Sequence, residues 1–194
     1  MSLSVERVVE ALRRSTPSLL RWSGAIAKQL RQFNIALDGK SSGNANTDAL
    51  TLADLTVQEL VVAGLRDADP ILRECRLEAE EANGDLSAFA TDAPLTIALD
   101  PIDGTKQFRD RSGDGYAVMI HLRDDSQLYY SLVFAPESGP TGTWTQTYGT
   151  TVKTGSDDTS KTAFDCLEAL PLMTASNRQD SKKIYLIRFQ KNDP

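Results

Sequence analysis

The stretch Leu95-Thr-Ile-Ala-Leu-Asp-Pro-Ile-Asp-Gly-Thr105 joins a short apolar run to a turn that carries two aspartates. Leu95 to Leu99 has the length and β-branched content of a buried strand, and the Asp-Pro and Asp-Gly pairs stop it. A strand end is where a rigid scaffold can hold functional groups. Asp100 and Asp103 offer hard oxygen ligands three residues apart, Pro101 stiffens the turn between them, and the Ile102 carbonyl can point into the same space. All-oxygen surroundings of this kind suit magnesium. Gly104 permits close backbone approach, and a helix starting at Thr105 to Phe108 would turn free amides towards a phosphate. Taken alone, ordinary turn chemistry accounts for these six residues equally well.

Working outward, Tyr116 to Leu122 and Gln127 to Phe134 are further β-forming runs bounded by Gly, Pro or Asp. Asp124 and Asp125 sit where a hairpin turn is needed, and Pro136, Gly139 and Pro140 end the last run. Leu77 to Ala79 forms another short strand, ended by Glu80 and Glu81 in AEEANGD; paired acids there are costly unless solvated or bound to cations. Upstream the period changes. Val5, Val8, Val9 and Leu12 fall on one helical face, and Thr16 followed by Pro17 predicts the cap of a second helix through Leu19, Leu20, Ile26 and Leu30. Asp38 to Thr47 is a loop by composition. Leu52, Leu55, Leu60, Val61 and Leu65 predict a third helix, with Asp54 in its first turn where the dipole favours a carboxylate. Helices first and strands after imply an α+β fold, N-terminal helices packed on an antiparallel sheet. The segment from Gly149 to Thr162, rich in Thr, Ser, Gly and Asp, is expected to be a linker or surface loop. The chain thus divides into a domain over 1–149 and a smaller part over 150–194, with no internal repeat.

Composition narrows the partners. The 194 residues are 40% hydrophobic and 25% charged, ordinary for a globular chain. A net charge of −6 argues against condensation onto a nucleic-acid polymer, which needs clustered Lys and Arg. A phosphorylated small molecule would need a cation held among carboxylates to invert that local field. Cys75 and Cys166 lack the spacing of a zinc site or disulfide framework, so a reducing cytoplasm is the simplest setting. Glu6 and Arg7 interrupt any secretory run near the start, and no stretch approaches membrane-spanning length.

Three motifs in order, TLAD (51–54), AEE (79–81) and DPIDGT (100–105), resemble the N-terminal motifs of the lithium-sensitive inositol monophosphatase family, which includes 3'(2'),5'-bisphosphate nucleotidases. The loop from Lys40 to Asp54 is similar to the family segment that begins with a Lys and ends with the motif aspartate, although Pro-Val-Thr is absent. Lys106, giving DGTK, resembles the bisphosphate nucleotidases. The resemblance implies the first domain of a sugar-phosphatase-like fold followed by a truncated second domain. It implies that Glu80, Asp100, Asp103 and the Ile102 carbonyl hold two or more magnesium ions. Asp54 and Thr105 would orient and deprotonate the attacking water, and the Gly104 and Thr105 amides would hold the phosphate. The implied activity is hydrolysis of a small phosphate monoester, a 3'(2'),5'-bisphosphate nucleotide or an inositol monophosphate.

Other residues are weaker candidates. Lys40 and Lys106 could reach the substrate or its ions, but Lys40 is equally a solvated loop charge. Lys106, Arg109 and Arg111 together suit a wet helical face. His121 has no second His to complete a ligand set, so a structural role is expected. Ser23 and Ser131 lack a surrounding His and acid, and Trp22 and Trp144 are expected to pack. The motif resemblance covers Val5 to Trp144, with a short echo at Ser176 to Arg178. The family's C-terminal Trp-Asp motif, which supplies a further metal ligand, does not occur, and the run KKIYLIRFQKNDP does not continue the pattern. Two readings therefore stand: a magnesium-dependent phosphomonoesterase, or a truncated, catalytically silent metal-binding or interaction protein. The sequence does not fix the oligomeric state; an incomplete domain would expose apolar sheet surface and invite self-association, and the resemblance, to a family whose members are often dimers, leaves a homodimer open.

Overall fold

The structure, a computed structural model, describes residues 3–33, 35–37 and 50–174. The elements in chain order are helix α1 (Val5–Phe33), helix α2 (Leu52–Ala68), strand β1 (Arg76–Ala79), strand β2 (Thr96–Asp103), helix α3 (Thr105–Asp110), strand β3 (Ala117–Arg123), strand β4 (Leu128–Ala135), strand β5 (Thr143–Tyr148), strand β6 (Thr151–Ser156) and helix α4 (Ala163–Ala169). The six strands form one sheet in the order β1-β2-β3-β4-β5-β6. It is an α+β fold with the helices expected from the sequence lying on the sheet. The antiparallel expectation holds from β2 to β6, whereas β1 runs parallel to β2.

Alternation along the strands decides which face is core. In β3, Val118, Ile120 and Leu122 are buried while Met119, His121 and Arg123 on the opposite face are only half-buried. Leu132 and Phe134 of β4 continue the buried face, against which α1 packs; α2 packs on β2 beside it. The Asp124 turn is as expected, its carboxylate accepting from the Ser126 and Gln127 amides at 2.6 and 2.8 Å.

Four expectations need correction. The two opening helices are one, because Pro17 lies inside α1. Proline removes an amide donor, but the Ser15 and Thr16 hydroxyls return to the Ala11 and Leu12 carbonyls at 2.7 Å each, and Thr16 meets the buried Tyr130 hydroxyl at 2.8 Å, so packing on β4 carries the helix through. On α2 the buried stripe is Ala53, Val57, Val61 and Leu65 rather than one running through Leu52, Leu55 and Leu60, which are half-buried. The segment after Gly149 is β6 and then α4, which packs on α1. Trp22 is 58% exposed; Trp144 is buried, stacked on Phe134 at 4.1 Å with its indole N–H donating to Asp157 at 2.8 Å. Lys40, Ser176 to Arg178 and the final basic run lie outside the described residues.

Phe134 is clamped on three sides. A Cβ on Gly24 of α1 would lie 2.6 Å from its ring, one on Gly142 2.7 Å from it, and Trp144 stacks on its face. Gly24→Ala should therefore destabilise by about 1–2 kcal/mol in urea unfolding, the clash outweighing the roughly 1 kcal/mol that alanine gains over glycine in a helix. A stabilised variant would show that the ring can move.

Candidate metal and phosphate site

Parallel pairing of β1 and β2 sets Ala79 opposite Leu99, and the Glu80 amide donates to the Leu99 carbonyl at 3.2 Å. Glu80 therefore emerges beside Asp100, at the carboxyl ends of two parallel strands, where ligand sites form in open sheets. The pairing of β2 with β3 then shifts register: Asp100 faces Met119 but Asp103 faces Ala117. Residues three apart on a regular strand point to opposite faces, and one extra residue in β2 turns Asp103 back towards Asp100. Pro101 lies in this bulge and cannot donate to a ladder, so sequence and irregularity agree.

Gly104 ends the strand with φ +83°, a left-handed conformation suited to glycine, and a Cβ there would lie 3.0 Å from the Gly115 carbonyl. Thr105 opens α3. Its hydroxyl lies 2.8 Å from the Ile102 carbonyl and 3.0 Å from Asp54 Oδ1, two acceptors for one proton. Asp54 is fully buried in the first turn of α2, where its Oδ2 also accepts from the Thr51 amide and hydroxyl at 2.7 and 2.6 Å, closing a capping box. The structure thus brings Asp54 and Thr105 together from elements 51 positions apart.

Electrostatics make the acids interdependent. Burial raises the Asp100 pKa above the ordinary carboxylate range, and the Glu80 and Asp103 charges raise it further; the Glu80 carboxyl is within hydrogen-bonding reach of Asp100. Burial, then Glu80, raises Asp103 as well. Burial also raises Asp54, with the Thr51 and Thr105 hydrogen bonds opposing it. Among the described residues no group of three or more Asp, Glu, His or Cys side chains closes into a cage for a metal ion. The donor chemistry nevertheless fits a hard divalent cation: Asp100 Oδ1 is buried with no hydrogen-bond partner, the Glu80 and Asp103 charges act on the same carboxyl, and the Ile102 carbonyl, which accepts from Thr105, has a second lone pair. Glu80, Asp100, Asp103 and the Ile102 carbonyl are the groups that would hold it.

The inositol monophosphatase family model matches residues 14–191. The chain belongs to the inositol monophosphatase family. The match passes Trp144, where the motif resemblance ends, and runs into the last residues. Solved structures share the family's fold: an extragenic suppressor protein SuhB from Bartonella henselae (16% identity, covering 76% of this chain and 52% of that one, TM-score 0.60) and CysQ from Bacteroides thetaiotaomicron, described as a bacterial member of the inositol monophosphatase family (21%, 83% and 56%, TM-score 0.58). An IMPase from Thermotoga maritima is similar too (18%, 72% and 48%, TM-score 0.54). This chain spans about half the length of these relatives. No curated protein matches the sequence. No helix among the described residues is long and apolar enough to cross a membrane.

Within this member of the inositol monophosphatase family, the basic residues around α3 lie on a solvated face as expected, but each is engaged. Lys106 pairs with Asp110 at 2.6 Å, and Arg109 reaches the same carboxylate at 3.0 Å. Arg111 is exposed as expected, and in a left-handed conformation it also donates to the Arg31 and Gln32 carbonyls at 2.9 and 2.7 Å, capping α1. Arg31 replies by donating to the Phe108, Gln107 and Gly113 carbonyls at 3.0, 3.3 and 2.6 Å, while pairing with Glu137 and lying over the Phe108 and Tyr116 rings. The sequence alone did not single out Arg31; a basic residue in the last turn of a helix was its one signal. His121 sits mid-strand in β3, its pKa lowered by burial.

The raised Asp100 pKa has a definite sign for stability. The folded chain holds that proton more tightly than the unfolded one, so the contribution is full below the ordinary aspartate range and is lost as pH rises through the folded pKa. Asp158, held at about 2 by Ser160 and Lys161, has the opposite sign but acts only at lower pH, whereas His121 opposes near its own range. The difference between Asp100→Asn and the parent chain isolates the effect. In chelator, the variant should gain stability relative to the parent as pH rises from about 5 to about 8, by thermal unfolding. A pH-independent difference would mean that Asp100 is ionised throughout.

Proposed function

We propose that this chain carries the metal-holding and water-activating part of a magnesium-dependent phosphomonoesterase acting on a small phosphate monoester, a 3'(2'),5'-bisphosphate nucleotide or an inositol monophosphate. The observation that supports it is the Thr105 to Asp54 hydrogen bond, made by the residue that follows the Asp100 to Gly104 turn, in which Asp100 carries a buried oxygen with no hydrogen-bond partner. A hydroxyl that donates to a buried carboxylate keeps its lone pairs for a water, and Asp54, with its pKa raised by burial, is a suitable final acceptor for that water's proton. Thr51 holds the second Asp54 oxygen, so the carboxylate cannot turn away. Magnesium, when bound, supplies positive charge for the phosphoryl oxygens and acidifies the nucleophile. The Gly104 and Thr105 amides, at the start of α3, would receive the phosphate in the same turn. Family membership supports phosphatase chemistry in general; the substrate pair and the magnesium rest on the motifs.

The test is release of inorganic phosphate from both substrates with magnesium, with and without lithium. Asp103→Asn and Thr105→Ala should each lower kcat by about 10² to 10⁴-fold, the range lost with a proton-handling or charge-stabilising group. Equal background release by all proteins would remove the enzyme reading. Magnesium uptake by calorimetry without turnover would favour the silent metal-binding reading instead.

A further inference from the structure

Gln58 lies four residues after Asp54, on the same face of α2, and is fully buried. A buried carboxamide needs partners for both ends, and here they all come from the loop that follows β1. Gln58 Oε1 accepts from the Glu81 amide at 2.9 Å, while Nε2 donates towards the Glu81 carbonyl at 2.8 Å, the Asn83 carbonyl at 2.6 Å and Asn83 Oδ1 at 2.9 Å. Asn83 returns a bond from Nδ2 to the Leu55 carbonyl at 2.9 Å. The side chain thus imitates a neighbouring strand, pairing with both the N–H and the C=O of one residue. Glu81 is itself buried.

The residue before Glu81 is Glu80, whose own amide is taken by Leu99 of β2. Glu80 is therefore gripped on one side by the last rung of the sheet and on the next residue by α2. We infer that Gln58 is a positioning residue for the cation site, fixing the backbone that presents Glu80 to Asp100 and tying it to the helix turn that carries Asp54. This rests on the reading of Glu80, Asp100 and Asp103 as cation ligands. Only a carboxamide of this length offers a donor and an acceptor together. Glutamate would set a second acceptor against the Glu81 and Asn83 carbonyls, and methionine would offer neither bond. Because one helical turn holds both Asp54 and Gln58, displacement of α2 would shift the water-activating pair and the Glu80 loop as a unit.

The experiment is calorimetric titration of magnesium into the full chain and into Gln58→Glu, Gln58→Met and the milder Asn83→Ala. It is paired with hydrogen exchange over 80–83 in chelator and with thermal unfolding. Gln58→Glu and Gln58→Met should weaken magnesium binding by roughly 10- to 100-fold, the range for groups that orient a ligand, with Asn83→Ala weakening it less, and all three should speed exchange over 80–83. Val57→Ala, one position away and facing the core, is the comparison for a purely structural loss: it should lower the unfolding temperature without changing affinity. Unchanged affinity in the folded Gln58 and Asn83 variants, or equal weakening by Val57→Ala, would overturn the inference. A parent chain that takes up no magnesium, with 80–83 still loosened by Gln58→Met, would instead overturn the cation site and leave Gln58 as a fastener of the loop.

Discussion

Repulsion within a corner of carboxyl groups dominates this structure: Asp100 is half-buried, with the Glu80 and Asp103 charges beside it. Glu80 and Asp100 are brought side by side by the parallel pairing of β1 with β2, and Asp103 is turned towards them by the β2 bulge. Like charges in a half-buried corner repel and are poorly solvated, so both Asp100 and Asp103 hold their protons more tightly than free aspartates do. A fold selected for stability alone would place apolar or paired groups there. Much of the surrounding architecture can be understood as what keeps that arrangement from relaxing: a ladder bond to Glu80, a proline in the bulge, a left-handed glycine after Asp103 and a helix turn that holds Asp54 against Thr105.

The α+β class was legible in the sequence, from helical periodicity first and β-forming runs after, and so was the candidate turn, because in DPIDGT a strand end, oxygen donors and glycine fall within six residues. What brings AEE and TLAD to it is not local. The parallel pairing of β1 with β2 depends on a crossover whose direction no short pattern reveals, and Gln58, an unremarked polar residue inside a helix, acquires its meaning only from the loop it meets. Strand β6 escaped notice because TVKTGS has a single apolar side chain, Val152; its inward residue is Lys153, whose ammonium is satisfied by the Leu167 and Glu168 carbonyls at 3.2 and 3.1 Å at the end of α4. A signal existed: Gly149, with φ +54°, opens a two-residue hairpin turn between Tyr148 and Thr151. Pro17 misled in the other direction, since propensity placed a helix start where tertiary packing carries one through.

Asp54 illustrates why structural and chemical readings of a residue need not compete. Its Oδ2 does the work of any capping-box acid, satisfying the first turn of α2 through Thr51, while its Oδ1 reaches Thr105 on another element. The capping bonds make the carboxylate rigid, and burial makes it more basic than a surface aspartate. A replacement that kept the helix but lost the second bond would separate these roles. Glutamine at position 58 repeats the pattern one turn later, a polar group whose burial is tolerable only because its partner is a loop that must not move.

The arginines and lysine near α3 bear on how an acidic protein could attract an anion. Arg31 and Arg111 are engaged with backbone carbonyls at the C-terminal ends of α3 and α1, each closing the other's helix, and Lys106 and Arg109 share Asp110. Their charge is largely engaged in fixing the position of α3 and the turn before it. A phosphate approaching that turn would meet amide donors and an oxygen-rich corner. Such a corner repels an anion on its own and would accept one only with a cation among the carboxylates, so under the proposed function, in a chain of net charge −6, metal and phosphate would bind as one event at one turn.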